Sequence, residues 1–343
     1  MKQLERGVFI FDSPPSINAF SAVVGKKEGE GPLSSYFDHI FTDTKLGQNT
    51  WEQAESRLQT EAVTRTLKKA NCAPEDVSLL FAGDLLNQCI GSTYGLRDLG
   101  IPLFGLYGAC STMAESLVLA SLMTASGAVS RALAVTSSHF CSAERQFRFP
   151  LEYGGVRTPT AQWTVTGAGA ALVCAEGNGP YVAAVTAGRI RDLGITDVNN
   201  MGAAMAPAAA DTIKRFLSAT KTAPDDYDLI LTGDLGFVGS SLLCELLRME
   251  QFQIEPVHND CGKMIFNRES QDVHAGGSGC GCSASVLCSY ILSGLKSRRL
   301  HRVLFAATGA LMSTTSIQQG ESIPGISHAV LLTASKEDIP WNC

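Results

Sequence analysis

The chain reads as an α/β protein built from two similar halves, each a mostly parallel sheet covered by helices on both faces. Three observations carry that expectation. Ala73-Pro74-Glu75-Asp76-Val77-Ser78-Leu79-Leu80-Phe81-Ala82-Gly83-Asp84-Leu85 recurs as Ala223-Pro224-Asp225-Asp226-Tyr227-Asp228-Leu229-Ile230-Leu231-Thr232-Gly233-Asp234-Leu235. Each copy is followed by a small-residue turn opening an apolar helix, Gly108-Ala109-Cys110-Ser111 in the first half and Gly279-Cys280-Gly281-Cys282-Ser283 in the second. Each half then closes alike, on Gly169–Cys174 and on His328–Thr333. One such match between two βα units is ordinary coincidence, whereas three in the same order define an internal repeat.

In chain order, Val8–Phe11 has strand character and stops at Asp12 and the Pro14-Pro15 pair. A helix is expected over 51–70. Thr50 and Gln53 are spaced as a capping box, and Trp51, Ala54, Leu58, Ala62, Thr66 and Ala70 form one stripe. Each repeat copy reads as a Pro turn, a buried apolar strand and a Gly-Asp loop. Pro102–Leu106 is a further apolar strand ahead of Cys110. The helix near 112–126 has almost no polar face and must be buried on all sides, and it leads into the strand Arg131–Thr136. The second half repeats this with a helix near 283–296 and the strand Arg302–Ala307. Strands and helices alternating in this way predict sheets covered on both faces and related by a pseudo-twofold, with halves 1–177 and 178–343 meeting near Glu176–Pro180.

At 343 residues, 45% of them hydrophobic, the chain can bury one large core or two of moderate size. A net charge of −6 and a pI near 5.6 leave no general basic field, which argues against nucleic acid as the main partner. Eleven cysteines, an odd number without framework spacing, suit a reducing compartment, so a cytoplasmic location is expected. The N-terminus has no signal-peptide apolar region. The most apolar run, Met113–Met123, contains Glu115 and is too short to span a bilayer.

Cys110 follows a strand and opens a buried helix, where free N–H groups and the helix dipole favour negative charge. That position suits a nucleophilic thiolate, and it equally suits a bound carboxylate. Asp84 and Asp234, at equivalent repeat positions after strand ends, are candidates to orient the Cys loop, to accept a hydrogen bond or to coordinate a divalent ion carried by a chelating ligand. The plainer alternative is that Asp after Gly caps a turn. Ser111, beside Cys110, and Ser278, in the Gly-rich loop 276–281, complete the local candidates. That loop lacks the Gly-Lys-Ser/Thr ending of a phosphate cradle, and Cys280, Cys282, Cys288 and His274 lack the paired spacing of a zinc site, so neither a cofactor nor a metal is expected. Arg145, Phe147, Arg148 and Phe149 read as a solvated loop or a subunit contact.

Two halves of this pattern, with a cysteine at the strand-to-helix turn of the first, resemble the thiolase superfamily of thiolases and ketoacyl synthases over nearly the whole chain. The resemblance implies a five-layered α-β-α-β-α arrangement and a homodimer. In that superfamily the cysteine attacks an acyl thioester, helped by a His and by an Asn or second His from the C-terminal half. Here Thr232-Gly233-Asp234 stands where a ketoacyl synthase carries the first His, and Gly276–Cys282 stands in place of the second partner. Asp234 would repel a thiolate. His328, entering the last strand, is the remaining candidate for a polar contact to a bound carboxylate, the alternative being a satisfied core histidine. The runs Gly25–Pro32, Thr136–Pro150 and Thr158–Thr164 resemble more narrowly the stage V sporulation protein AD family of spore-forming bacteria. That resemblance implies binding of dipicolinic acid, alone or as its calcium chelate, in support of its uptake into the developing spore. It also implies other stage V sporulation A membrane proteins as partners and a peripheral position at the spore inner membrane. An acyl-transfer enzyme using Cys110 with an unusual partner such as His328, and a purely structural subunit, are the alternatives.

Overall fold

Three large apolar cores divide the molecule into layers. The computed structural model describes residues 1–147 and 156–341. The first half contains β1 (Lys2–Glu5), β2 (Val8–Ile10), β3 (Ser16–Val24), α1 (Lys26–Gly29), β4 (His39–Ile40), α2 (Trp51–Ala70), β5 (Leu79–Gly83) and α3 (Ile90–Leu96). It continues with β6 (Leu103–Leu106), α4 (Thr112–Ala125), β7 (Arg131–Ser138), α5 (Phe140–Phe147), β8 (Trp163–Thr164) and β9 (Gly167–Cys174). The second half contains β10 (Tyr181–Thr186), α6 (Met201–Thr220), β11 (Leu229–Thr232), α7 (Gly236–Met249), β12 (His258–Asp260) and α8 (Cys261–Met264). It ends with β13 (Gly277–Ser278), α9 (Cys280–Val286), α10 (Leu292–Lys296), β14 (Arg302–Ala310), α11 (Thr314–Gln318) and β15 (Gly325–Thr333).

The strand order β12-β11-β14-β15-β10 continues into β3-β9-β7-β5-β6, so the two five-strand paths are mirror sequences of equivalent elements. They meet at a single pair, Tyr181 with Ser16. Within the first path β6, β5 and β7 are parallel and β9 runs antiparallel to both its neighbours, and the second path repeats this with β15. Alternate residues of each strand enter different cores, as the two-residue strand period requires. Ala132 and Ala134 of β7, with Val303 and Phe305 of β14, join Met113 and Leu117 of α4 and Val286, Leu287 and Ile291 of the second central helix. Leu133 and Val135 face Leu58, Ala62 and Val63 of α2 instead. Leu304 and Ala306 face Met205, Ile213 and Phe216 of α6. The resulting order is helix, sheet, paired central helices, sheet, helix, the five layers expected.

Local chemistry explains the element ends. Thr50 caps α2 by accepting from Gln53 N–H, but the Gln53 side chain returns to Asn49 N–H, so the capping box is displaced by one residue. The two Pro turns are alike, Asp76 accepting from Ala73 N–H at 3.0 Å and Asp226 from Ala223 N–H at 2.8 Å. The expected helix near 283–296 begins at Cys280 and passes through a π-helical stretch, Leu287–Ile291, before α10. Glu176–Pro180 lies in the loop between β9 and β10, and the hairpin β1–β2 from the start of the chain pairs with β10. Among the described residues no helix is long and apolar enough to cross a membrane, and the ten described cysteines are all free.

Candidate ligand-binding site

Cys110 sits in a tight 3-10 turn, Ala109–Ser111, at the start of α4, and Ala109 before it holds the left-handed conformation at φ 51°. A non-glycine residue there is strained, and the strain turns the cysteine out of the strand line towards the strand ends. The turn docks on β14 of the other half at Gly309, where an added Cβ would come within 2.4 Å of Gly108 O. Cys110 is buried with Leu85, Ala143 and Cys280, and half-buried Phe147 packs on the group.

The carboxylate of Asp234 stands behind the sulfur. It is fully buried and accepts from Ser278 Oγ at 3.0 Å, Gly279 N at 2.9 Å and Thr308 Oγ1 at 3.0 Å. Burial, then the neighbouring charge of Asp234, pushes the Cys110 thiol well above its ordinary range. The helix dipole therefore does not win, because burial, and then the charge of Asp234 nearby, oppose ionisation more strongly than half a unit charge on the helix axis favours it. Asp260, at the end of β12, fixes the loop bearing Asp234 by accepting from Thr232 Oγ1 at 2.6 Å and from the N–H groups of Leu235 and Gly236 at 2.8 and 2.9 Å. Burial pushes Asp260 up to about 7.

In front of Cys110 lies a cavity of about 410 Å³, within the range of small-ligand sites. Leu85, Ala143, Phe147, Met201, Ala310, Leu311 and Met312 give it apolar walls, and Tyr107, Glu144, Thr164, Ser278, Ser313 and Ser316 give it polar edges. Among these described residues Glu144 is the one charged group. It accepts from Thr164 Oγ1 at 2.9 Å.

Of the candidates named from sequence, Cys110 and Ser278 line this cavity and Asp234 stands directly behind both. The other three are turned to different tasks. Asp84 is fully buried and accepts from Leu86 N, Ser92 N and Ser92 Oγ at 2.8, 2.8 and 2.6 Å, so its own loop consumes both oxygens. Ser111 closes its turn by donating to Gly108 O at 2.6 Å. His328 accepts from Gly188 N–H at 3.1 Å, and burial lowers it to about 4, leaving it neutral. The remaining histidines are engaged elsewhere: His139 with Thr44 O, His258 with Thr232 Oγ1, His274 with Thr158 O, His301 with Asp338, and His39 edge-on to Phe41. Arg145 pairs with Glu52 and lies over Trp51, while Arg148 and Phe149 fall outside the described residues. No group of three potential metal ligands occurs among the described residues.

Sequence reasoning missed Glu144, although Ala143, Glu144 and Phe147 share one face of α5 at helical spacing. It also missed the buried network behind that helix. Glu55 of α2 accepts from Ser142 Oγ at 2.6 Å and Ser137 Oγ at 3.2 Å, and Gln59 donates to Gly83 O, Ser92 Oγ and Ser137 Oγ. Glu28, whose side chain accepts from Thr166 N–H at 2.9 Å, completes the support, and burial raises its carboxyl from 4.5 to about 7. The folded state therefore binds this proton more tightly than the unfolded chain. The stability that it contributes is complete below pH 4.5 and is lost as pH rises through 7. Glu28→Gln is expected to flatten that dependence and to raise stability at pH 8 by about 2 kcal/mol, read by urea unfolding across pH 5–8.

A central pair of buried helices between two equivalent sheets, with a cysteine at the first helix's mouth, defines a protein of the thiolase and condensing-enzyme fold. The fold is similar to that of 3-oxoacyl-[acyl-carrier-protein] synthase III from Aquifex aeolicus VF5, at 14% identity and a TM-score of 0.55 over 93% of this chain and 99% of that chain. It is likewise similar to OleA of Xanthomonas campestris, at 16% identity and a TM-score of 0.59 over 94% of this chain and 100% of that chain. The chain belongs to the stage V sporulation protein AD (SpoVAD) family, whose model matches residues 5–333. It is 46% identical over 331 residues to Stage V sporulation protein AD of Bacillus subtilis (strain 168), covering 96% of this chain and 98% of that protein.

Proposed function

We propose that the protein binds dipicolinic acid without catalysis, in the cavity before Cys110, and takes it as the calcium chelate to support its uptake into the developing spore. One observation carries the reading: a buried carboxylate, Asp234, held by Ser278, Gly279 and Thr308, stands behind the sulfur at the nucleophile position, and each histidine is engaged elsewhere. Acyl transfer needs a thiolate and a positioned proton carrier, and Asp234 works against the first and cannot serve as an imidazole. The cavity remains, with a size and an aromatic, apolar wall suited to a single ring. Glu144 at the cavity edge gives the metal end of a chelate a carboxylate oxygen to meet. In this role the protein is a peripheral component beside stage V sporulation A membrane proteins.

Calorimetry with calcium dipicolinate is expected to give one site per chain, lost in Cys110→Trp because the indole fills the cavity floor. Incubation with acyl thioesters is expected to leave Cys110 unmodified by mass spectrometry. Binding that survives Cys110→Trp moves the ligand elsewhere, and an acyl adduct on Cys110 restores the enzyme reading.

A further inference from the structure

A second groove, remote from Cys110, has the opposite electrostatic character. It has a volume of about 640 Å³ and lies where β3 runs beside the C-terminal ends of α2 and α10. Its floor is Phe20, 7% exposed, and its walls bring in Lys69, Lys296, Ser293, Ser297 and Asn18. The two ammonium groups stand over the same ring, Lys69 Nζ at 5.5 Å and Lys296 Nζ at 6.0 Å from its centroid. Lys69 is held in an ion pair with Asp38 at 2.6 Å and by Phe20 O at 2.8 Å, so part of its charge is met at the groove's edge, whereas Lys296 is exposed.

Both lysines occupy the last turns of their helices, where the dipole favours a cation. That accounts for the sign of each charge, but not for the convergence of both upon one groove from helices far apart in sequence. Lys68, Arg298 and Arg299 flank the same helix ends, a local excess of positive charge in a chain of net charge −6. We infer that this groove is a binding site for a phosphoryl group, carried by a soluble phosphate compound or by a phospholipid head. Two ammonium groups with the Ser293 hydroxyl fit a tetrahedral oxyanion, Ser297 already donating to Gly294 O, whereas a planar carboxylate is better matched by a guanidinium fork, which the groove lining does not include among the described residues. The apolar floor accommodates the carbon skeleton next to the phosphoryl group.

The test uses the full chain and Lys296→Glu, an exposed position whose substitution leaves the core intact, with circular dichroism and melting temperature as fold controls. One arm titrates inorganic phosphate at constant ionic strength by ³¹P line broadening. The other sediments the protein with phosphatidylglycerol vesicles against phosphatidylcholine vesicles. Charge reversal at Lys296 is expected to weaken the responding arm by about tenfold or more, and Ser293→Ala by less. A response to phosphate alone identifies a soluble ligand, and recruitment to anionic vesicles alone identifies a lipid head; either sustains the site. No response in either arm, or a response equal in native protein and Lys296→Glu, overturns it. Calcium dipicolinate binding at Cys110 is expected to persist in Lys296→Glu.

Discussion

Asp234→Asn is expected to make Cys110 at least about tenfold more reactive towards iodoacetamide at pH 8, measured by mass spectrometry of the Cys110 peptide. The asparagine oxygen still accepts from Gly279 N–H, and its amide donates to Thr308, so the loop geometry survives while the charge beside the sulfur disappears. Removing a neighbouring anion from a buried thiol lowers its pKa by about one unit or more, and each unit is a tenfold gain in thiolate. Asp234→Ala has a different outcome. It strands Ser278, Gly279 and Thr308 together and is expected to cost about 3–5 kcal/mol of stability in urea unfolding. Equal alkylation rates in native protein and Asp234→Asn would mean that Asp234 does not govern the sulfur.

The second large effect concerns calcium. Dipicolinate affinity measured by calorimetry is expected to fall by about tenfold or more when calcium is replaced by EDTA, because the ligand then loses the metal that Glu144 meets at the cavity edge. Glu144→Gln reverses part of this dependence. It keeps the acceptor for Thr164, removes the acidic group, and should weaken the chelate while strengthening the free acid. Equal affinity with and without calcium, unchanged by Glu144→Gln, would remove the chelate from the proposal and leave the cavity to a different ligand form.

The repeat made most of the architecture legible. A strand buried on both faces is apolar throughout, and a helix buried on all sides has no polar stripe, so β5, β11 and α4 stand out in the chain before any contact is known. One element has no such mark. The first half of α6 is nearly all alanine and methionine, with Pro207 inside it, and that composition shows neither a clear stripe nor a clear stop. The site was legible in part for a related reason. Asp84 and Asp234 are indistinguishable in the repeat, yet one serves its own loop and the other holds the Gly-rich turn behind the sulfur.

The order of elements, the internal duplication and the position of Cys110 at a helix mouth were set by local pattern: periodicity of two or near four residues, turn residues and caps. Which carboxylate stands behind the sulfur, where Glu144 projects and that His328 stays neutral against Gly188 were decided only by tertiary packing. These contacts join residues far apart in the chain, as Gly279 joins Asp234, and no local rule of spacing specifies the distance at which two such groups come to rest.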